Sequence, residues 1–477
     1  MKFYYVVKFI LVSIFVVSIF VLLMYTINFS GVNVKKHGLS AYHEIDMKIA
    51  QAHEAFLPWA SLTMCERIEF LNLVYQELVE RKSEIRSIIV EEVGIPVSLC
   101  DQIDINPALN YLQGYLHNAE KWLASEVVFE DLDEIHYLHY EPRGVVGVSI
   151  PWNYPLTGFV WGVIQNLIAG NTVVFKHSNK CTRISNLLGE VLMNHLPKGV
   201  CSVVYGAGDD VGEYLMNNNL DLICFTGSTF VGRHLNQVAA QKFIPAILEL
   251  GGSAAGIVFE DADLGMTVES IYNYRFLNSG QSCDGLKRLL VDSRIFDEVV
   301  ERLYTLIASK KVGCANDPLT DIGPLVTEYQ VKKLKKQVED AVNKGAIVIA
   351  DASCLKNQAG LFCKPTILTN ITCDMKVWRE ETFGPVLPII PFFTEEEAVC
   401  LANDSMYGLG GYVYTQDKER ALRVSRLLQT GNVSINNANY VIPQDPFGGC
   451  KQSGLGREHG RYGLRELTSL KVVALKK

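Results

Sequence analysis

Residues 220–253 read LDLICFTGSTFVGRHLNQVAAQKFIPAILELGGS, and in this stretch glycines join a strand-like run to a helical one. The apolar run ends at Gly227, and a turn leads to Gly232 at the start of the helical part. Glycine at such a turn allows a close backbone approach, and the free N–H groups of a helix N-terminus attract a phosphate. The same spacing also occurs in plain tight turns. The stretch therefore predicts a strand–helix unit and leaves phosphate binding open.

Runs of the same kind recur on both sides of this stretch. Three precede it, VVGVSI at 145–150, NTVVFK at 171–176 and VCSVVYG at 200–206, with helical segments between them. A second series of strand-like and helical runs extends from about 255 to 430. Continuous apolar strands that alternate with helices indicate a parallel sheet with both faces covered. The sequence therefore predicts an α/β protein with two domains of similar style.

The composition is typical of a globular protein. Of 477 residues, 48% are apolar and 20% are charged, which excludes a disordered or collagen-like chain. Lys and Arg number 44 against 52 Asp and Glu, and the net charge of −8 argues against a nucleic-acid partner. The 12 cysteines show neither the density of a disulfide framework nor a CxxC pair. We therefore expect mostly reduced thiols and no metal site.

The amino terminus contains an apolar segment. Phe9 to Ile27 is a run without a charge, and as a helix it would reach roughly 28 Å, enough to cross a bilayer core. No small-x-small cleavage site follows it, which favours an uncleaved transmembrane helix over a signal peptide. Lysines flank the run on both sides, so the positive-inside rule gives no orientation. The sequence therefore predicts a single-pass anchor before the α/β body.

Three residues are candidates for chemistry by their own surroundings. Glu249 lies between apolar residues and two glycines, where a carboxylate is either ion-paired or a general base with a raised pKa. Cys283 lies in the glycine-bearing loop FLNSGQSCDG at 276–285, as a nucleophile or as a small buried hydrophobe. Asn153 stands between prolines in PWNYP at 151–155, and a rigidly held amide suits an oxyanion donor. No single motif chooses between these alternatives.

Seven motifs together resemble the aldehyde dehydrogenase superfamily in their order, from about residue 40 to residue 477. They are PWNYP, FKHSNK, FTGSTFVG, ELGG, NSGQSC, EETFGPV and PFGGCKQSGLGREHG. The resemblance implies that Cys283 attacks an aldehyde as a thiolate, and that the Asn153 amide and the Cys283 backbone N–H hold the oxyanion. It also implies that Glu249 activates the water that hydrolyses the thioester, after hydride transfer to NAD or NADP. The presence of Glu249 favours this hydrolysis over transfer to coenzyme A.

The resemblance also assigns residues to the adenosine and pyrophosphate of the cofactor. Lys176 matches a lysine that bonds the adenosine ribose. Gly227 and Ser228 match the turn that meets the pyrophosphate, and Gly232 supports helix packing. These residues are implied to bind NAD or NADP.

At the nicotinamide end, the resemblance assigns Glu381 and Phe383 to the ribose and ring, with Trp152 beside the cofactor. Asn179 stands where the family often has an acid that bonds the 2′-hydroxyl and repels a 2′-phosphate. Because Asn cannot repel a phosphate, NADP stays open beside NAD.

Two further positions depart from the family pattern. Phe230 replaces a residue that is frequently polar, which would reshape the adenine side. Asp284 directly follows the nucleophile, where small or neutral residues are usual. If its carboxylate points into the substrate tunnel, it would raise the thiol pKa or disfavour anionic substrates, whereas pointing away it would have no effect.

The implied architecture is an aldehyde dehydrogenase-like α/β fold behind the transmembrane helix. Its parts are an anchor and spacer at 1–40, a Rossmann-type dinucleotide-binding domain at 41–123 and 143–250, a catalytic α/β domain at 251–453, and a β oligomerisation extension at 124–142 and 454–477. In this family the strands of this β extension lengthen a sheet across a dimer, so a homodimer or homotetramer is expected.

The substrate class stays the most open question at this level. An apolar or lipid-derived aldehyde is favoured by the anchor and by four residues of one loop, Tyr440, Val441, Ile442 and Phe447. A semialdehyde is the alternative, which a basic side chain at the mouth would favour. An acylating or phosphorylating enzyme and a non-catalytic scaffold are further alternatives, and the intact catalytic set counts against the scaffold. Since such an enzyme needs a nicotinamide cofactor and a reduced thiol, we expect the body in the cytoplasm.

Overall fold

The computed structural model of the protein describes residues 39–349, 354–357 and 360–477. Within these residues, strands form a six-stranded sheet, a seven-stranded sheet, a three-stranded sheet and a two-stranded hairpin. In chain order the strands are β1 (Glu126–Glu130), β2 (Glu134–Pro142), β3 (Val145–Ile150), β4 (Thr172–His177), β5 (Cys201–Val203), β6 (Leu222–Thr226), β7 (Ala246–Glu249), β8 (Ala254–Val258), β9 (Leu286–Asp292), β10 (Ile347–Val348), β11 (Cys354–Asn357), β12 (Gly360–Cys363), β13 (Thr366–Thr369), β14 (Val386–Phe392), β15 (Gly410–Tyr414), β16 (Asn432–Ile435), β17 (Gly454–Leu455) and β18 (Thr468–Lys476).

Helices alternate with these strands. The α-helices of the first half are α1 (Leu39–Ala60), α2 (Met64–Glu80), α3 (Lys82–Val93), α4 (Val97–Cys100), α5 (Asn106–Trp122), α6 (Pro155–Phe159), α7 (Gln165–Ile168), α8 (Thr182–His195), α9 (Glu213–Asn217) and α10 (Thr229–Lys242). Those of the second half are α11 (Leu264–Phe276), α12 (Phe296–Ala308), α13 (Glu328–Asn343), α14 (Lys376–Arg379), α15 (Glu395–Asn403), α16 (Lys418–Leu427) and α17 (Gly460–Glu466). Short π-helical turns lie at Asp101–Ile105, Val160–Ile164 and Gly208–Gly212, and 3-10 turns at Leu277–Gly280 and Lys451–Ser453.

The six-stranded sheet has the order β17-β7-β6-β3-β4-β5 and is parallel except for the short edge strand β17. All of β4 is buried, and its side chains alternate between two cores. Val173 and Phe175 pack into the core that contains Leu188 of α8. Val174 packs into the core that contains Ile45 of α1. The apolar runs predicted as strands at 145–150, 171–176, 200–206 and 220–227 are confirmed as β3 to β6, with apolar residues on both faces because helices cover both.

The seven-stranded sheet is the second α/β unit that the sequence predicts. Its order is β10-β13-β14-β9-β8-β15-β16, and it is parallel except for the edge strand β10. Alternate residues of the fully buried β9 again face two cores, with Leu290 in one and Leu289 and Val291 in the other. The chain then returns to the first sheet, where Gly454 of β17 pairs with Glu249 of β7. This return brings the last motif of the sequence to the edge where β3, β6 and β7 end.

Most cysteines of the described residues, Cys283 included, are free thiols. Cys363 is disulfide-bonded, which the sequence did not predict. It lies on the β11–β12 hairpin, where its backbone is in register with Cys354.

The three-stranded sheet has the order β1-β2-β18 and is antiparallel. It joins the two segments whose sequences look strand-forming, since β18 pairs with β2 from Thr468 opposite Pro142 to Lys476 opposite Glu134. Eight of the nine residues of β18 are exposed. Its large exposed apolar side chains are Leu470, Val472, Val473 and Leu475.

The sequence analysis was wrong about the membrane. The predicted transmembrane helix at Phe9–Ile27 lies outside the described residues, and no helix within them is long and apolar enough to cross a bilayer. The longest, α1, has charged residues such as Glu44 and Lys48 along it and buries Ile45 and Ile49 in a protein core. On this finding the predicted fold class is corrected to an α/β fold whose described residues contain no membrane-spanning helix. The predicted membrane-anchored localisation is wrong on the same finding, and nothing within the described residues supports the predicted membrane partner.

Candidate active site

A cavity of about 280 Å³ lies where β3, β6 and β7 end, and loops of both large sheets line it. Eight predicted site residues line this cavity, namely Trp152, Asn153, Gly227, Ser228, Glu249, Cys283, Glu381 and Phe383. Helix α13 contributes Tyr329, Gln330 and Lys333, which the sequence analysis did not single out. The fold therefore brings five separate motifs to one space, while Lys176, Gly232 and Asn179 lie outside it.

The loop of Cys283 has an unusual backbone. Asn278 and Ser279 adopt left-handed φ angles of 50° and 56° in the 3-10 turn that precedes it. Gly280 follows at 73°, and a Cβ there would lie 2.5 Å from the carbonyl oxygen of Gly384. Non-glycine residues pay for such angles, so surrounding contacts must hold them. The loop that carries the thiol is therefore fixed by its neighbours rather than by local preference.

Two hydrogen bonds in opposite directions hold the Cys283 loop against the Asn153 loop. The side-chain amide of Asn278 donates to the Asn153 carbonyl at 2.8 Å, and the side-chain amide of Asn153 donates to the Gln281 carbonyl at 3.1 Å. The Gln281 side chain in turn donates to the Asn278 carbonyl at 3.1 Å. The amide of Asn153 is 7% exposed and has a second N–H besides the one given to Gln281. Sequence reasoning missed Asn278 and Gln281, although both stand in the quoted motif NSGQSC.

Asp104 holds the other side of the Asn153 loop. Its fully buried carboxylate accepts the backbone N–H groups of Leu156 at 3.2 Å and Thr157 at 2.9 Å, which begin α6. The Thr157 hydroxyl donates to the Asp104 carbonyl at 2.9 Å. Burial raises the pKa of Asp104 to about 6, against the effect of these hydrogen bonds. Asn153 is thus held between a buried carboxylate and the loop of the thiol.

Opposed charges surround Cys283. Burial raises the pKa of its thiol, and the carboxylate of Asp284 raises it further, whereas the ammonium of Lys287 lowers it. Lys287 is fully buried, donates to the Cys283 and Gly252 carbonyls at 2.8 Å each, and forms an ion pair of 2.6 Å with Glu381. Lys287 was missed by sequence reasoning because nothing marks it except its distance of four residues from the cysteine.

Glu249 ends β7 as a buried carboxyl group. Neither of its oxygens finds a hydrogen-bond partner within the described residues. Burial raises the pKa of Glu249 well above its usual range, and the nearby carboxylate of Glu458 raises it further, while Arg457 lowers it. Burial raises the pKa of Glu458 as well. The two carboxyl groups therefore share a site that disfavours a double negative charge, and Glu458 is a further functional candidate from the motif PFGGCKQSGLGREHG.

A second cavity, of about 590 Å³, lies beside the start of α10. Ser228 caps this helix by accepting the backbone N–H of Val231, and Gly232 is buried against Leu250. A Cβ at Gly232 would lie 2.2 Å from the Leu250 side chain, so this close packing requires glycine. The cavity is lined by apolar and polar residues that include Phe225, Val231, Asp209, Glu213, Arg233 and His234. A capped helix N-terminus between two cavities fits the phosphates of a dinucleotide.

The three predicted residues outside the first cavity differ in their positions. Lys176 is buried with its stem beside Gly212, which lines the second cavity, and burial lowers its pKa to about 8. Its ammonium donates to the His177 carbonyl at 2.8 Å. Asn179 is exposed in the turn after β4 and does not line the second cavity. Phe230, the departure noted on the adenine side, lines that cavity with 86% of its surface exposed.

Comparisons with known proteins agree with this geometry. The model of the aldehyde dehydrogenase family matches residues 28–473. This chain belongs to the aldehyde dehydrogenase family. It is 34% identical over 432 residues to mitochondrial succinate-semialdehyde dehydrogenase of Oryza sativa subsp. japonica, covering 90% of this chain and 81% of that one. It is 34% identical over 450 residues to succinate-semialdehyde dehydrogenase [NADP(+)] of Deinococcus radiodurans, covering 94% of each.

A solved structure gives the same result. The NAD-dependent aldehyde dehydrogenase from Sinorhizobium meliloti superimposes with a TM-score of 0.88 at 34% identity, over 91% of this chain and 87% of that one. This aldehyde dehydrogenase is therefore an oxidoreductase that acts on aldehydes with NAD or NADP. The predictions of family, enzyme class and cofactor are confirmed.

The opposed charges at Cys283 predict opposite changes in thiol reactivity. Asp284→Asn removes a carboxylate that raises the thiol pKa, so we expect alkylation by iodoacetamide at pH 7.5 to be roughly three- to tenfold faster. Lys287→Met removes the cation that lowers the thiol pKa, so we expect alkylation of Cys283 to be slower by a similar factor. The rate is measured by mass spectrometry of the Cys283 peptide, with Cys283→Ala as the labelling control. Equal rates in the wild type and the Asp284 variant would contradict this account of the charges.

Proposed function

We propose that Cys283, Asn153 and Glu249 carry the oxidation of an aldehyde to its carboxylic acid in this enzyme. The observation that supports it is that the thiol, the amide and the carboxyl group line one cavity together with the residues implied to hold the nicotinamide. A nucleophile, an oxyanion donor and a base around one reacting carbon are what acyl chemistry through a cysteine requires.

The residues then act in a fixed order. The Cys283 thiolate adds to the aldehyde carbon, and the Asn153 amide with the Cys283 backbone N–H stabilises the oxyanion. Loss of a hydride from the same carbon leaves a thioester on Cys283. Glu249, once ionised, takes a proton from water, and the resulting hydroxide releases the acid and frees the thiol. The sum is aldehyde, oxidised cofactor and water giving carboxylate, reduced cofactor and two protons.

The cofactor supplies the hydride acceptor when bound, and this chain offers a matching set of groups. The helix N-terminus at Ser228 suits the pyrophosphate, and Lys176, buried beside Gly212 of the second cavity, suits the adenosine ribose. Glu381 accepts both the Lys287 ammonium and the Gly252 backbone N–H at 3.0 Å, so its carboxylate is held in place beside Phe383 at the nicotinamide end. We keep Asn179 as a cofactor residue only for the 2′ position of the adenosine ribose, where its uncharged amide would accept the 2′-phosphate of NADP. Trp152 packs edge-on against Phe383 at 5.7 Å.

Substitutions at the three catalytic residues test this assignment. We expect Cys283→Ala to abolish reduction of NAD or NADP by aldehydes, and Asn153→Ala to lower kcat by about 10²–10³ because it loses an oxyanion donor. Glu249→Gln should lower kcat by about 10²–10⁴ while still giving one rapid equivalent of reduced cofactor per active site, since only hydrolysis needs the base. Stopped-flow absorbance at 340 nm measures both phases. A Glu249→Gln variant without the burst, or with unchanged turnover, would exclude the hydrolytic role, as would product that requires coenzyme A or phosphate.

Glu458 influences the pH dependence of thioester hydrolysis, because its charge raises the pKa of the base Glu249. Only ionised Glu249 acts as a base, and its raised pKa places the acid limb of kcat above the usual range of a glutamate. Glu458→Gln removes a negative charge that raises this pKa, so the acid limb moves to lower pH. The pH profile of kcat for the wild type, for Glu458→Gln and for the surface control Glu80→Gln measures the shift. An unchanged acid limb in Glu458→Gln would contradict the interaction.

We propose that the β1-β2-β18 sheet joins two copies of the chain in a homodimer or homotetramer. The domain boundaries expected from the sequence are kept as part of the same proposal. The exposed apolar side chains of β18 support this, because monomers rarely leave such a row uncovered. Val472→Glu should shift the mass measured by light scattering to that of a monomer, since a buried unpaired charge opposes association. Thr468→Ser, at the buried end of the strand, is the control. A monomeric wild type would disprove the assembly.

A further inference from the structure

Asp284, the residue after the nucleophile, faces a group of hydroxyls. Its carboxylate accepts the Ser282 hydroxyl at 2.7 Å and the Tyr440 hydroxyl at 3.3 Å. The Tyr412 hydroxyl donates to the Asp284 backbone carbonyl at 2.8 Å. No basic side chain of the described residues forms an ion pair with Asp284, and it does not line the 280 Å³ cavity that holds Glu381 and Phe383. Its negative charge is therefore without a protein counter-charge on the side of Cys283 away from the proposed nicotinamide site.

A continuous chain of aromatic rings includes Tyr440 and Tyr412, whose hydroxyls contact Asp284. Ring centroids follow one another at 4.6, 6.4, 6.4, 5.5 and 5.2 Å. In order, the rings are Tyr274, Tyr412, Tyr440, Phe447, Trp161 and Tyr111. Aromatic faces carry negative potential and attract cations, above all organic ammonium groups. The rings and the carboxylate therefore favour the same sign of charge.

Two of these side chains have polar atoms without a protein partner. The Tyr111 hydroxyl and the Trp161 indole N–H are buried and form no hydrogen bond within the described residues. The charge of Asp284 contributes to raising the pKa of Tyr111, as do Glu458 and Asp445, which places further carboxylates around the same wall. The ammonium nearest the thiol, that of Lys287, is already paired with Glu381. Unsatisfied buried polar atoms at a wall of rings indicate a site for a ligand.

We infer that Asp284 and the aromatic rings around it form the binding site for a positively charged group of the substrate, so that this enzyme selects aldehydes that carry an ammonium. The inference rests on the proposed catalytic role of Cys283, because it places the cation next to the carbonyl under attack. It also implies that an aldehyde with a terminal carboxylate, such as succinate semialdehyde, is a poor substrate, since its charge would meet Asp284 without a basic partner. The relatives named as semialdehyde dehydrogenases thus differ from this chain in substrate charge.

A matched pair of aldehydes isolates the charge. Betaine aldehyde carries a trimethylammonium group, and 3,3-dimethylbutanal is its neutral isostere with carbon in place of nitrogen. We expect the wild type to have a higher kcat/KM for betaine aldehyde than for the isostere or for succinate semialdehyde. In Asp284→Asn the ratio of betaine aldehyde to isostere should fall at least about tenfold, because the side chain keeps its shape and loses its charge. The neutral isostere reports the change in the thiol pKa that comes from the unliganded charge alone, and the ratio reports what the cation adds, including its effect on the thiol through Asp284.

Asp297→Asn, on the exposed first turn of α12, is the control for net charge and should keep the wild-type ratio. A wild-type ratio of one or less, a preference for succinate semialdehyde, or an unchanged ratio in Asp284→Asn would overturn the inference.

A binding measurement separates this inference from the catalytic proposal. Calorimetry of the full chain compares choline with 3,3-dimethylbutan-1-ol, its neutral isostere, and neither needs turnover. Tighter binding of choline, lost in Asp284→Asn, supports the cation site even if no aldehyde is oxidised, in which case the catalytic proposal alone fails. Equal binding of the two alcohols overturns the cation site even if neutral aldehydes are oxidised.

Discussion

The active site depends on the two opposed hydrogen bonds between Asn153 and the loop of Cys283. They cross from the end of the first large sheet to the start of the second, so the nucleophile and the oxyanion donor are held by one contact between the two α/β units. Asn278 donates to Asn153 from a left-handed conformation, and the next glycine but one, Gly280, packs closely against the Gly384 carbonyl. The local strain of this loop is therefore offset by long-range hydrogen bonds that only the folded protein forms.

Burial is the main influence on the thiol and on two carboxyl groups at this site. The thiol and the two carboxyl groups of Glu249 and Glu458 all have raised pKa values with desolvation as the first cause. One buried cation, Lys287, counters this on the cofactor side, and its ion pair with Glu381 spares it the full cost of an isolated charge. Raised pKa values favour the protonated forms of the thiol and of Glu249, so a change in local charge alters the reactivity of both.

The two sheets could be predicted from the sequence because their strands are buried on both faces and therefore read as unbroken apolar runs. Cys283, Asn153 and Glu249 could be expected to lie together because each stands in a short motif with its own turn residues, and their catalytic roles are a proposal. Lys287 and the ring of Trp161 could not, since their roles arise from contacts with residues far away in sequence, which a linear pattern does not show. The prediction of a transmembrane helix at Phe9–Ile27 rested on hydropathy alone, and no helix of the described residues is long and apolar enough to cross a bilayer. Asn179 is exposed in the turn after β4, and its role toward the cofactor is a proposal.

The charge of Asp284 affects both the pKa of the Cys283 thiol and the binding of a cationic aldehyde. The first effect is unfavourable in the free enzyme, and both are favourable once such an aldehyde is bound. Without a cation beside it, its charge raises the pKa of the adjacent thiol and keeps the nucleophile protonated. An ammonium seated among the rings of Tyr440 and Tyr111 neutralises that charge, so the thiol pKa falls when the substrate is in place. The carboxylate that selects a cationic aldehyde would then also delay formation of the thiolate until such an aldehyde has bound. This coupling explains physically how a carboxylate next to the nucleophile, costly for the free thiol, is compatible with a working enzyme.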